Sequence, residues 1–296
     1  SKINFNLTNS QNKVLEEINI DLKSNSRMFR IVQGDVGSGK TIVSLLAMAN
    51  VIESSFQCAF MAPTEILAKQ HYKLSLEIFK DTDIKIGFIS GKTDYKDRKK
   101  TLKDLAENKI KLIIGTHSLF QEKITFKKLG LIVIDEQHKF GVNQRMKLAK
   151  KGEDECDVLL MSATPIPRTM MLTIYGDMDI SKITEKPSNR KKIITLSKPE
   201  EKINELWPFI KKNINSENQI FWVCPLIDES KFLNYSAAVT KFKLIDKKFP
   251  KIVGLIHGSM DKSEKEKILK DFLDKKIKIL VSTTVIEVGI DFPNAN

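Results

Sequence analysis

The chain has 296 residues, of which 41% are hydrophobic and 29% charged, and its formal net charge at pH 7 is +12. That length suits two domains rather than one. No run approaches the roughly 20 apolar residues of a membrane span, Ser1-Lys2-Ile3-Asn4-Phe5-Asn6 has no apolar signal-peptide core, and the scattered Cys58, Cys156 and Cys224 fit a reducing cytoplasm rather than a disulfide scaffold.

Taken in chain order, residues 7–22 read as a helix opened by Thr8 and Gln11 at capping-box spacing. Phe29-Arg30-Ile31-Val32 suits a buried strand, and residues 41–49 form an apolar stretch of helical length. Between them, Gly34-Asp35-Val36-Gly37-Ser38-Gly39-Lys40-Thr41 satisfies every fixed position of the phosphate-binding loop G-x-x-x-x-G-K-[ST]. Gly34, Gly37 and Gly39 admit backbone angles closed to other residues, so the loop, Ser38 included, can turn its N–H groups inward around a polyphosphate. The helix that follows aims its positive end at the same anion. Lys40 supplies a charge for the outer phosphates, and the Thr41 hydroxyl can ligate the magnesium that travels with the nucleotide.

A strand over 57–62 ends at Pro63-Thr64, followed by a helix over 65–79, a strand over 84–89 and a charged helix over 92–107. A strand over 110–115 runs into Thr116-His117. Residues 129–134 are a continuous apolar run, the pattern of a central parallel strand. Asp135 and Glu136 stand at its carboxyl end, where open α/β sheets bind ligands. Asp135 can hold magnesium through its water shell, and Glu136 can orient and deprotonate an attacking water. A strand over 158–161 ends at Ser162-Ala163-Thr164-Pro165, a helix over 166–175 follows, and the polar, Pro-containing residues 184–192 read as a linker.

The pattern then restarts without a second phosphate loop. Strands are expected over 193–196, 219–224, 251–256 and 278–282, and helices over 199–214, 235–246 and 261–273; His257-Gly258 follows the third strand. Alternating strands and helices imply an α/β fold with mostly parallel sheets and right-handed crossovers, in two domains, 1–183 and 184–296. The positive charge would attract a polyanion such as nucleic acid. Yet only six of the basic residues are arginine, and the recurrence of Lys, Asn and Ile throughout explains the charge equally well as compositional drift.

Asp135-Glu136-Gln137-His138 together with Ser162-Ala163-Thr164 resembles the superfamily 2 helicases and translocases. Longer stretches are similar to one group of them, the bacterial branched-DNA helicases of the RecG family. These are Gly34 to Thr41, Met61 to Ala68 with Gln70-His71, Gly115 to Gln121, Asp135 to Val142 with Gln144-Arg145, Ser162 to Thr169, Trp222 to Ser230 and Thr283 to Asp291. The resemblance covers nearly the whole chain. It implies two RecA-like domains forming the motor core of an ATP-dependent DNA helicase or translocase. Such a motor remodels branched DNA, meaning replication forks and Holliday junctions, in recombination and repair. It uses ATP and Mg2+ as a monomer, without a membrane. It also implies a wedge domain before Ser1 and an arginine-finger motif after Asn296, so that the second domain is incomplete at its C-terminus.

By the same resemblance, Gln11 would contact adenine with Phe5 stacked near it, and Gly289 and Asp291 would face the nucleotide. Gln137 and His138 would relay phosphate state, and Ser162 and Thr164 would couple hydrolysis to movement. Pro63, Thr64, Gly115, Thr116, His257, Gly258 and Thr284 would touch the nucleic-acid backbone, contacts that carry no sequence information. Turn chemistry or helix capping explains the same loop residues without a ligand. Lys139 stands where the family usually has arginine, keeping the charge but not the planar fork. Three other readings remain: a transcription-repair coupling translocase, an RNA helicase, and an ATP-gated binding module with little turnover. Ser38 and the Trp222–Ser230 stretch disfavour the first. The Asp-Glu-Gln-His and Thr-His-Ser-Leu-Phe-Gln runs disfavour the second, and the intact Lys40, Asp135 and Glu136 the third.

Overall fold

A computed structural model describes residues 6–120, 124–136, 156–164, 178–186, 193–224 and 231–283, with 292 and 295. They divide into two units, Ser1–Lys191 and Lys192–Asn296. The expected helix over 166–175 lies outside the described residues.

In the first unit the elements run α1 (Asn9–Leu22), β1 (Phe29–Gly34), α2 (Lys40–Glu53), β2 (Gln57–Met61), α3 (Glu65–Ile78), β3 (Ile86–Ile89), α4 (Tyr95–Ala106), β4 (Leu112–Gly115), β5 (Leu129–Ile134), β6 (Asp157–Ser162) and β7 (Asp179–Ile183). The strands form one sheet in the order β3-β4-β2-β5-β6-β1-β7, with every neighbouring pair parallel. Both faces of its central strands are covered, which is why these strands read as unbroken apolar runs. Val32, Phe60, Val133 and Leu159 pack with Val14 and Ile18 of α1 and Val43 and Met48 of α2. Their strand neighbours Ile31, Ala59, Ile132 and Leu160 turn to the other layer, with Leu105 and Ile110.

The second unit contains α5 (Leu206–Asn215), β8 (Ile220–Val223), α6 (Lys231–Lys248), β9 (Val253–Ile256), α7 (Lys262–Leu273) and β10 (Ile279–Ser282). Its three strands are parallel in the order β8-β10-β9.

Three expectations from the sequence need correction. The edge strand β7 was not foreseen; Asp179-Ile180-Ser181-Lys182-Ile183 has only two apolar residues and becomes a strand by pairing along β1. Residues 193–199 do not form the strand expected over 193–196, and Ile193, Ile194 and Leu196 are exposed. β-Branched composition favours an extended chain, but a strand needs a ladder partner, and none pairs with these residues among those described. The helix expected over 199–214 begins instead as a 3-10 turn, Glu200–Glu205, with Lys202 off helical angles. Pro208 has no N–H to offer the carbonyl four residues back, so the α-helix starts afresh at Leu206, with the proline in its first turn.

The two units repeat one construction. In the α4–β4 connection, Lys109 and Ile110 donate to the Asp104 carbonyl, Asn108 is left-handed at φ 60°, and a Cβ on Gly87 would lie 2.9 Å from Ile110 Cδ1. In the α7–β10 connection, Lys276 and Ile277 donate to Asp271, Lys275 has φ 60°, and Gly254 stands 2.8 Å by the same measure from Ile277 Cδ1. Each connection is fastened by a buried glutamine at the head of a neighbouring strand. Gln57 Nε2 donates to the carbonyls of Leu105 and Ile110, both at 2.8 Å, and Gln219 Nε2 to those of Phe272 and Ile277. Gln57 Oε1 also accepts from the N–H groups of Lys127 and Lys128, at 2.8 and 3.0 Å.

Gln57→Leu keeps the size but takes the partner from four backbone groups, of which the carbonyls of Leu105 and Ile110 are buried. An unsatisfied buried backbone group costs about 1–3 kcal/mol, so this variant should lose at least about 2 kcal/mol of stability. Urea unfolding followed by circular dichroism measures it.

Candidate nucleotide site and nucleic-acid edge

The loop after β1 is built on two left-handed glycines, Gly37 at φ 77° and Gly39 at φ 92°. Gly39 caps α2 without a side chain, and a Cβ there would overlap the Gln11 amide. Gln11 is buried and fully engaged within the chain. Its Oε1 accepts from Thr8 N–H at 2.9 Å, completing the capping box, and its Nε2 donates to the Ser38 carbonyl at 2.7 Å. The residue expected to contact adenine thus also grips the loop. Thr41 sits half-buried in the first turn of α2.

Lys40 is buried, and its ammonium donates to the carbonyls of Gly34 and Asp35, at 2.6 and 3.0 Å. Burial holds its pKa below the ordinary lysine value, opposed by the carboxylates of Asp135, Glu136 and Asp35. These same groups place the acidic end of β5 within electrostatic reach of the loop. On the β7 side the loop borders a cleft of about 290 Å3, lined among others by Gln33, Ser38, Ala163 and Lys182 to Lys186. Gln33 Nε2 and Ser38 Oγ are buried there and find no hydrogen-bond partner among the described residues. The residues leaving β7 are clasped to the loop region. Ser10 N–H donates to Glu185 Oε2 at 3.0 Å, and Lys186 Nζ meets Asp35 Oδ2 at 3.0 Å.

Asp135 and Glu136 are both buried at the end of β5. Asp135 Oδ1 accepts from Glu136 N–H at 2.9 Å, and its Oδ2 lies 2.8 Å from His71 Nε2. Glu136 holds φ 47°, a left-handed angle uncommon for a residue with a side chain, and such strain gathers at functional sites. Ser162 and Thr164 close on each other at the end of β6, with 3.1 Å between their hydroxyl oxygens.

Pro63 and Thr64 follow β2, and Thr64 caps α3 by accepting from Leu67 N–H at 3.4 Å. Gly115 ends β4 where a Cβ would overlap the Ile89 carbonyl, so close strand packing already requires this glycine. Thr116 is buried, its hydroxyl 3.4 Å from that of Ser118. In the second unit, His257-Gly258 follow β9 beside Thr283 at the end of β10, whose N–H donates to the Ile256 carbonyl at 3.2 Å. Burial, with Lys265 beside it, pushes the His257 imidazole below its usual pKa, so it is neutral at pH 7. Phe5, Gln137, His138, Lys139, Thr284, Gly289 and Asp291 lie outside the described residues.

Sequence reasoning gave His71 no role, although Gln70-His71 was among the matching stretches; nothing local announces a partner 64 residues away. It also passed over Ser90-Gly91-Lys92-Thr93, which follows β3 as His257-Gly258-Ser259-Met260 follows β9 in the repeated construction.

Comparison with known proteins adds the family. The profile of the DEAD/DEAH box helicases matches residues 8–172, more than half of the chain. The chain belongs to the DEAD/DEAH box helicase family. The helicase conserved C-terminal domain matches residues 201–296. The chain is 46% identical over 294 residues to the ATP-dependent DNA helicase RecG of Thermotoga maritima, covering 99% of this chain and 38% of that protein. To the RecG of Bacillus subtilis it is 43% identical, covering 98% and 43%. Among solved structures, RecG bound to a three-way DNA junction matches with a TM-score of 0.84 and 42% identity, over 99% of this chain and 38% of that one. The chain therefore spans about two fifths of the length of these relatives. Mss116, a DEAD-box helicase solved with single-stranded RNA, shares the fold at 20% identity and a TM-score of 0.67. No helix among the described residues is long and apolar enough to cross a membrane.

Because burial disfavours the Lys40 ammonium, Lys40→Met should cost little stability, and in the reading proposed below it should also abolish ATP binding. The sign follows from linkage. With the folded pKa depressed, the unfolded chain binds the extra proton, so stability attributable to Lys40 rises with pH between the lowered value and 10.5. Thermal melts of both proteins at pH 7 and pH 10 should show that rise in the wild type relative to Lys40→Met.

Proposed function

We propose that this chain is the ATP-driven motor of a DNA helicase that remodels branched DNA. The observation that carries the reading is the order of strand ends along one edge of the first sheet. The ends of β1, β6 and β5 bring the phosphate loop, Ser162-Thr164 and Asp135-Glu136 side by side. The ends of β2 and β4, with Pro63-Thr64 and Gly115-Thr116, continue the same edge directly beside β5. A nucleotide half and a nucleic-acid half thus adjoin on one rigid sheet. The similarity to RecG proteins at 42–46% identity supports branched DNA as the substrate and does not favour the transcription-coupling alternative.

The donor set fits Mg2+. Among the described residues no three His, Cys, Asp or Glu side chains converge on a cage. Asp135 and Thr41 offer one carboxylate and one hydroxyl, which suits an ion that keeps its waters and the phosphate oxygens. Bound Mg-ATP supplies the phosphoanhydride bond that is hydrolysed. In this reading Lys40 exchanges its two loop carbonyls for phosphate oxygens, and Gly37 to Thr41 present N–H groups to them. Glu136 accepts the proton of the attacking water. Gln11, gripping Ser38, reports adenine occupancy to the loop, with Phe5 stacked near the base, and Gly289 and Asp291 complete the nucleotide site. Gln137, His138, Ser162 and Thr164 pass phosphate state towards Pro63, Thr64, Gly115, Thr116, His257, Gly258 and Thr284, which hold the DNA backbone. We place the boundary between the motor domains at 183/184, where the chain leaves β7, and take the protein to act as a monomer.

The test compares ATP turnover with a three-way junction, a linear duplex and RNA. Stimulation should be greatest with the junction, and equal stimulation by RNA would refute the DNA reading.

Glu136→Gln keeps the shape but cannot take the proton. Nucleotide affinity should be retained while turnover falls by about 10²–10⁴, the usual loss for a general base. Equilibrium binding and steady-state ATPase on the same preparation separate the two effects.

A further inference from the structure

We infer that His71 is a positioning residue that fixes the Asp135 carboxylate for the nucleotide's magnesium; this rests on the reading of Asp135 given above. The contact is short and buried. His71 Nε2 and Asp135 Oδ2 are 2.8 Å apart, and the two side chains are only 9% and 8% exposed. An ionised carboxylate can only accept, so Nε2 carries the hydrogen.

Both partners are held from behind. The His71 ring stacks on Phe60 of β2, centroids 4.5 Å apart and planes within 23°, which fixes the direction of its N–H. On the other side, Asp135 N–H donates to the Met61 carbonyl at 2.8 Å, and Asp135 Oδ1 accepts from Glu136 N–H. Each carboxylate oxygen therefore has one fixed donor, and its remaining lone pairs are turned in a set direction. Outer partners of this kind orient a metal-binding carboxylate and raise its effectiveness.

The location argues against a histidine that is merely satisfied in the core. A buried imidazole could bond a nearby backbone carbonyl at no distance from its own helix. Instead His71 reaches from α3 to an acidic group at the ligand-binding edge. Thr64, at the cap of the same helix, stands seven residues earlier, two turns back on the same face. A single helix thus ties the turn after β2 to the carboxylate after β5.

The test titrates Mg2+ against binding of a fluorescent ATP analogue. It uses the wild type, His71→Phe, which keeps the stacked ring but loses the N–H, His71→Gln, which keeps a donor, and Asp135→Asn. His71→Phe should raise the Mg2+ concentration for half-saturation by about tenfold or more, while binding in EDTA stays at the wild-type level. His71→Gln should recover part of the loss. The inference is overturned if Asp135→Asn shifts the titration but His71→Phe does not, or if His71→Gln is as impaired as His71→Phe. Wild-type behaviour in Asp135→Asn would instead sink the reading of Asp135, and the inference with it. Should His71→Phe fail to fold, wild-type NMR decides: Mn2+-nucleotide should broaden the His71 ring signals, and their persistence would overturn the proposal.

Discussion

Parallel pairing is the constraint on which the site depends. Strands that all run one way, joined by crossover helices, deliver every carboxyl end to the same edge of the sheet. Here that edge collects residues from Gly34 to Thr164, and the order β4-β2-β5-β6-β1 decides which of them are neighbours. Asp135 is remote from the loop in sequence, 94 positions beyond Thr41, with α3, α4 and the strands β2, β3 and β4 in between. It reaches the loop because β6 alone stands between β5 and β1. The same order sets β2 against β5, so the turn predicted to meet DNA is adjacent to the acidic pair.

The sheet can carry such an edge because its polar interior is satisfied where it is structural. Gln57 and Gln219 each tie off the carbonyls of a helix-to-strand connection. Arg30, buried in β1, reaches Asp21 of α1 at 2.6 Å and Ser181 of β7 at 2.9 Å. That triangle fixes α1 against the strand that feeds the phosphate loop, and with it the position of Gln11. At the edge, by contrast, Gln33 Nε2 and Ser38 Oγ find no hydrogen-bond partner among the described residues, and Glu136 and Gly39 take left-handed angles.

Lys40 shows how the loop holds its shape. Its ammonium is desolvated, which disfavours the charge, yet it is kept by two carbonyls and by the field of three carboxylates. A phosphate offers the same lysine a stronger, oppositely charged partner. The lysine thus holds the loop together and, in the function proposed above, would exchange those carbonyls for the nucleotide's phosphate oxygens.

The sequence by itself determined what has a local cause. Glycines at fixed spacing admit the left-handed angles of a tight turn, so Gly34 to Thr41 announced the loop between β1 and α2, and Thr8 with Gln11 announced a cap. The unbroken apolar run before Asp135 announced a strand buried on both faces. Helices and most strands were legible from periodicity within a few residues. Only the tertiary structure decided matters of pairing. The polar edge strand β7 exists because β1 offers it a ladder, and the more apolar residues 193–196 pair with nothing among the described residues despite their composition. The contact of His71 with Asp135, the second grip of Gln11 on Ser38 and the reach of Gln57 to α4 join residues remote in sequence. Such contacts follow from the order in which strands assemble, and that order is a property of the whole sheet, written in no single segment of the chain.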